Sequence, residues 1–146
     1  MQQKKKWPIM HAIGTVFLTL KRYRQKEIHP HGITLKQFYV LRQLKQKGEL
    51  FPSEIADMLF CDRPTATVVI KNMENKGWID REPYQYDSRR IKVTINPEGL
   101  NKLEDVLMRT QKTGETLFDP LSCFTSHEKE QFLNLLEKLN EHLKTV

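Results

Sequence analysis

Asp62-Arg63-Pro64-Thr65-Ala66-Thr67-Val68-Val69-Ile70-Lys71-Asn72-Met73-Glu74-Asn75-Lys76-Gly77-Trp78-Ile79-Asp80-Arg81 contains the change of period that decides the fold. Asp62 is a side chain suited to accept the free amides of a helix's first turn, and Pro64 falls where a missing amide costs nothing. Ala66, Val69, Ile70 and Met73 share one face at helical spacing, the helix runs to Lys76, and Gly77 is the expected C-cap. From Trp78 the pattern alternates: Trp78 to Arg81 reads as a short strand, and Ile91, Val93 and Ile95, separated by Lys92 and Thr94, read as a second. The stretch Pro83 to Arg90 between them then forms the polar tip of a hairpin.

Upstream, Ser53 to Leu59 reads as a brief helix with Ile55, Met58 and Leu59 on one side, joined to the Asp62 helix by a tight turn. A helix before it opens after Thr34, an N-cap, turns Phe38, Leu41 and Leu44 inward, and ends at Lys47-Gly48, after which a short loop is expected. The first helix carries Ile9, Ala12, Ile13, Val16, Phe17, Leu20 and Tyr23 on one face and stops near His29-Pro30-His31-Gly32. Downstream, Asn96-Pro97-Glu98 repeats the cap-and-proline device. It opens a long helix with Leu100, Leu103, Val106, Leu107 and Leu117, in which Gly114 is a candidate bend. Phe132, Leu135, Leu136, Leu139 and Leu143 mark a last amphipathic helix. The order predicts a mainly α fold with a small β-hairpin wing: a winged helix-turn-helix over 33–96, flanked by helices over 1–32 and 97–146. All of it belongs to a single domain, 1–146.

That arrangement presents one helix to a major groove and a loop to a minor groove. Pro64, Thr67, Val68, Lys71, Asn72 and Asn75 point outward from the Asp62–Gly77 helix and supply hydroxyl, amide, ammonium and aliphatic groups suited to base edges, phosphates and a thymine methyl. At the hairpin tip, Arg89 and Arg90 can enter a narrow minor groove, with Asp87 expected to hold Arg89 in a bidentate pair. A solvated helix face and a surface ion pair are the plainer alternatives.

Charge is distributed in the same sense. The 146 residues carry a net charge of +6, with 38% hydrophobic and 29% charged residues. Residues 1–96 hold 18 Lys/Arg against 9 Asp/Glu, and residues 97–146 hold 6 against 9. A basic part beside an acidic one suits a polyanion-facing region joined to a region with other work. No apolar run approaches the roughly 20 residues of a membrane span. Trp7 to Leu20 is broken by Pro8, His11, Gly14 and Thr15 with no cleavage pattern after it, so a cytoplasmic protein is expected.

Catalytic signatures are missing: no GxSxG, no HExxH, no glycine-rich strand-to-helix turn, and six glycines in all. The sequence predicts no enzyme. Cys61 and Cys123 form no metal-ligand or disulfide pattern. Cys61, preceding a helix N-terminus, is either a structural thiol or an oxidant-sensitive one. His29 and His31 lack a helical His pair to complete a metal site, so no metal and no cofactor are expected. The terminal helices present more apolar stripe than a small helix-turn-helix can cover, which points to a partner, the plainer alternative being that each stripe packs within the monomer.

Ser53-Glu54-Ile55-Ala56, Asp62 to Thr67, Met73 to Arg81, Asp87-Ser88-Arg89-Arg90 and Ile95-Asn96-Pro97-Glu98-Gly99 together resemble the MarR family, the multiple-antibiotic-resistance regulators. Met73 and Trp78 stand where that pattern has Leu, and Asn96 where it has Thr; each keeps the packing or capping role. The resemblance spans nearly the whole chain. It implies a homodimeric transcriptional regulator built through the terminal helices and bound to a pseudo-palindromic double-stranded DNA site. Thr67 and its neighbours would lie in the major groove and Arg89 in the minor groove. Family members commonly repress and release DNA when a small, often aromatic, effector enters a cleft between the two parts. The expected DNA-contacting set is Ser53, Arg63, Pro64, Thr65, Thr67, Val68, Lys71, Asn72, Tyr86, Asp87, Arg89 and Arg90; the expected effector-lining set is His11, Phe17, Phe38 and Tyr39, with Trp7 nearby. A winged helix used only for protein contact is the alternative, since a fold does not dictate its use.

Overall fold

The computed structural model describes residues 3–112 and 119–146. Packing divides the chain into two compact units, residues 1–112 and 113–146. Leu117 and Gly114 lie outside the described residues.

The first unit runs α1 (Gln3–Ile28), a 3-10 turn (His29–His31), α2 (Leu35–Lys47), β1 (Glu49–Leu50), α3 (Pro52–Met58), α4 (Arg63–Asn75), β2 (Ile79–Tyr84), β3 (Asp87–Ile95) and α5 (Pro97–Lys112). The described part of the second contains α6 (Ser126–Leu143), whose N-cap Thr125 forms a capping box with Glu128. This is the winged helix-turn-helix that the sequence predicts.

Local chemistry sets the ends of these helices. Thr34 Oγ1 accepts the Gln37 N–H at 3.2 Å while Gln37 Oε1 accepts the Thr34 N–H at 3.1 Å, so two amides are satisfied reciprocally at the start of α2. Asp62 Oδ1 accepts the Thr65 N–H at 2.8 Å at the start of α4. That helix closes with Gly77 at φ +76°, the Gly77 N–H bonded to Glu74 O and the Trp78 N–H to Met73 O. These are the paired bonds of a Schellman ending, which need a left-handed residue where Gly77 stands. Asn96 Oδ1 caps α5 by accepting the Gly99 N–H at 2.9 Å.

The core sits among α2, α3, α4, α5 and the sheet. Val40, Leu41, Leu44, Ile55, Ala66, Ile70, Met73, Ile79, Val93, Leu103 and Val106 are all buried. Each fully buried Leu, Ile or Val contributes about 1.5–3 kcal/mol. Because Ala66, Ile70 and Met73 point into this core, the opposite face of α4 is left to solvent.

Two local expectations need correction. The loop after Gly48 contains β1, which pairs antiparallel with β3 (Glu49↔Thr94, Leu50↔Val93) and makes the sheet three-stranded, in the order β1-β3-β2. Two residues are too few to display a period. The strands also run almost to the end of the hairpin, so the long polar tip shrinks to Gln85-Tyr86 between the paired residues Tyr84 and Asp87. Arg89 and Arg90 therefore belong to β3, not to a loop. The first helix, α1, begins at Gln3 and takes in Pro8, which withdraws one hydrogen bond from its second turn without ending it.

Candidate nucleic-acid interface

Thr67, Val68, Lys71, Asn72 and Asn75 form an exposed face of α4, with Arg63 and Pro64 exposed in its first turn. Val68 is 58% exposed, and Thr67 Oγ1 donates to Arg63 O at 2.9 Å, which leaves its oxygen available as an acceptor. Thr65 and Ser53, in the first turns of α4 and α3, are half-buried. The Asp62 carboxyl is held below its ordinary pKa by the Thr65 hydroxyl and then by the Thr65 amide.

The helix α4 is tied to the wing by an ion pair that the sequence reading does not identify. Arg81 Nε and Nη2 donate to Glu74 Oε2 and Oε1 at 2.7 and 2.9 Å, a fork-on-fork contact joining α4 to β2. The hydrogen bond from Arg81 lowers the Glu74 pKa, and the same bond raises that of Arg81. A signal was present: opposite charges seven residues apart, on either side of the Gly77 turn.

Beyond Arg81 the hairpin becomes irregular. Tyr84 pairs with Asp87 and Pro83 with Ile91, so Ser88, Arg89 and Arg90 are extra residues on β3 and the ladder breaks beside the turn. Neither Gln85 nor Tyr86 has a positive φ. The turn is thus not of the type that matches strand twist, which accounts for the break. Asp87 Oδ1 accepts both the Arg89 amide at 3.1 Å and its Nε–H at 3.2 Å. One oxygen does the holding, so the bidentate pair is not formed, but the guanidinium is aimed from two points. The Arg89 side chain is 90% exposed.

Arg90, its neighbour, has different partners. Its guanidinium lies 3.7 Å over the Phe51 ring and 5.7 Å from Tyr84. Phe51 and Tyr84 meet edge to face at 5.0 Å, and Tyr84 and Tyr86 at 5.3 Å. No one-dimensional pattern joins residue 51 to residue 90.

The aromatic set expected to line an effector cleft is spread out. Phe38 is buried in the core with Arg42 over its ring at 5.8 Å, and the ring of half-exposed Tyr39 lies 6.1 Å away. His11, Phe17 and Trp7 are exposed along α1. A cleft does occur where α1 turns into α2, but Arg22, Gln25, Lys26, Ile28, His29, Pro30, Ile33, Thr34 and Leu35 line it. His29 is there; none of the expected aromatics is. Cys61 is half-buried against the core and Cys123 exposed. Among the described residues no group of three His, Cys, Asp or Glu could hold a metal, and no helix is long and apolar enough to cross a membrane.

A short helix, a tight turn, a capped helix with a polar outer face and an arginine-bearing hairpin define a winged-helix protein of the nucleic-acid-binding class. Residues 33–91 match the sequence model of the MarR family. The chain is 30% identical over 133 residues to the multiple antibiotic resistance protein MarR of Salmonella typhimurium, covering 90% of each. It is 28% identical over 140 residues to the HTH-type transcriptional regulator PecS of Dickeya dadantii, covering 92% of this chain and 82% of PecS. The crystal structure of a cysteine-to-serine mutant of E. coli MarR in complex with operator DNA superposes with a TM-score of 0.76 at 26% identity, covering 90% of this chain and 93% of that one. The chain belongs to the MarR family of transcriptional regulators, and these relatives are regulators, not enzymes.

Proposed function

We propose that this protein is a sequence-specific repressor that binds a pseudo-palindromic double-stranded operator as a homodimer in the cytoplasm and lets go when a small, often aromatic, molecule binds it. The observation that carries the reading is the pairing of an outward polar face on α4 with an exposed Arg89 aimed by Asp87, the two joined through Glu74 and Arg81. Thr67, Val68, Lys71 and Asn72 offer base-edge and phosphate chemistry, and Arg89 suits a narrow minor groove. The relative solved with operator DNA supports the same partner. For the dimer, support comes from exposed apolar side chains on both terminal helices: Ile9, Val16, Phe17 and Leu20 on α1, and Leu133, Leu135, Leu136 and Leu143 on α6.

Selection of bound fragments from the source genome at about 0.15 M salt, where unspecific attraction is already weak, tests this. The expected result is an inverted repeat bound by two chains, with Arg89→Ala costing about 1–3 kcal/mol on that repeat and much less on random duplex. Recovery of random fragments alone would point instead to a winged helix used for protein contact.

A further inference from the structure

We infer that Arg90 is a positioning residue: stacked on Phe51, it sets the angle of the wing against the helix-turn-helix and so aims Arg89, without itself touching DNA. This rests on the DNA-binding reading above and goes beyond it by giving Arg90 a role other than the DNA contact expected of it.

Phe51 ends the segment that follows β1 and is the N-cap residue of α3, so its ring is fixed to the helix-turn-helix. Arg90 belongs to the three-residue irregularity between the Asp87 and Ile91 pairings, the part of β3 with no ladder partner to hold it. A guanidinium 3.7 Å over the Phe51 ring, with the Tyr84 ring edge-on to Phe51, supplies the restraint that the ladder lacks there. One strand step away, Arg89 projects to solvent on the Asp87 carboxylate. Below the stack, Lys92 Nζ lies 3.3 Å from Glu49 Oε2 and 3.9 Å from Glu82 Oε2, which pins the root of the wing to both neighbouring strands. The wing is thus held at its root by charge and nearer its tip by a planar stack. A lysine in place of Arg90 keeps the charge but not the flat face that matches a ring.

The experiment measures the affinity of purified protein for the tightest genomic fragment recovered and for a random duplex of equal length, over a range of salt. Phe51→Leu, which changes no charge, is expected to lower the preference for the recovered fragment about two- to fivefold, the factor that an exposed contact of this kind is worth. Arg90→Lys should do the same with the salt dependence unchanged, and the double variant should be no worse than either single one. Far-UV circular dichroism and melting confirm folding, and Arg90→Lys, on an exposed strand, carries the test if Phe51→Leu does not fold. If Arg90→Lys and Phe51→Leu keep full preference while Arg90→Gln flattens the salt dependence by about one unit, Arg90 is a phosphate contact and the inference is overturned. A wild-type protein that prefers no fragment overturns the DNA-binding reading and the aiming role with it. Preference in wild type that survives both variants removes the aiming role alone.

Discussion

Glu74 shows how one residue's titration is bound to the interface. Its carboxyl is held below the ordinary carboxylate range chiefly by the hydrogen bond from Arg81, in the folded chain only. A carboxylate with a depressed folded pKa adds stability above its unfolded pKa and loses it as pH falls through the folded value. Stability should therefore decline on acidification through and below the ordinary carboxylate range, and Asp62, lowered by the Thr65 hydroxyl, adds to the same slope. Glu74→Gln should flatten that decline and leave a protein less stable at neutral pH. Melts recorded from neutral to acid pH check it, and parallel curves for wild type and Glu74→Gln would show that the pair contributes nothing. Gly99 is a residue of a different kind. A Cβ placed there would lie 2.1 Å from the Trp78 carbonyl oxygen and 2.9 Å from Ile95 Cγ1. Gly99→Ala must push α5 away from the base of the wing, at a cost of about 1–3 kcal/mol by chemical denaturation.

Among the elements, legibility followed chemistry. Helices with caps and stripes were readable because Thr34, Asp62, Gly77 and Asn96 each carry a local mechanism that the structure uses. The wing was readable as two strands but not in its geometry. β1 is too short to show a period, and the break beside Tyr84 depends on a turn whose residues announce no type. On the candidate site, the outward face of α4 followed from its buried face, whereas the Glu74–Arg81 clamp and the Arg90–Phe51 stack are contacts across elements. The turn between α3 and α4 supplies one more case. Phe60 takes a φ of +52° while 97% exposed, a left-handed backbone with no packing to compensate. That conformation costs an L-residue roughly 1–2 kcal/mol, more than the unfolded-state entropy a glycine adds. Phe60→Gly should accordingly stabilise the fold by up to about 1 kcal/mol, read as a higher denaturation midpoint. A loss instead would mean that the ring has a partner in solution.

Across the first unit, side-chain contacts link the turn beside the α1–α2 cleft to α4. Lys76, the C-cap residue of α4, donates to Gly32 O at 3.3 Å, and Lys102 of α5 donates to His31 O. Both ammonium groups lie over Trp78 at the base of the wing, 4.7 and 5.7 Å from its ring centre. Two cations thus grip the carbonyls of one turn while resting on one indole, and His29 and Pro30 of that turn line the cleft. These contacts join the turn to the end of α4 and to the root of β2. Replacing both lysines by methionine keeps their stems and removes the hydrogen bonds and cation–π contacts. The expected loss is about 1–3 kcal/mol of stability, with faster amide exchange at Gly32 and Ile33. If the turn's exchange is unchanged in that variant, the lysines do not hold it. If it quickens, the lysines restrain the corner from the end of α4 and from α5.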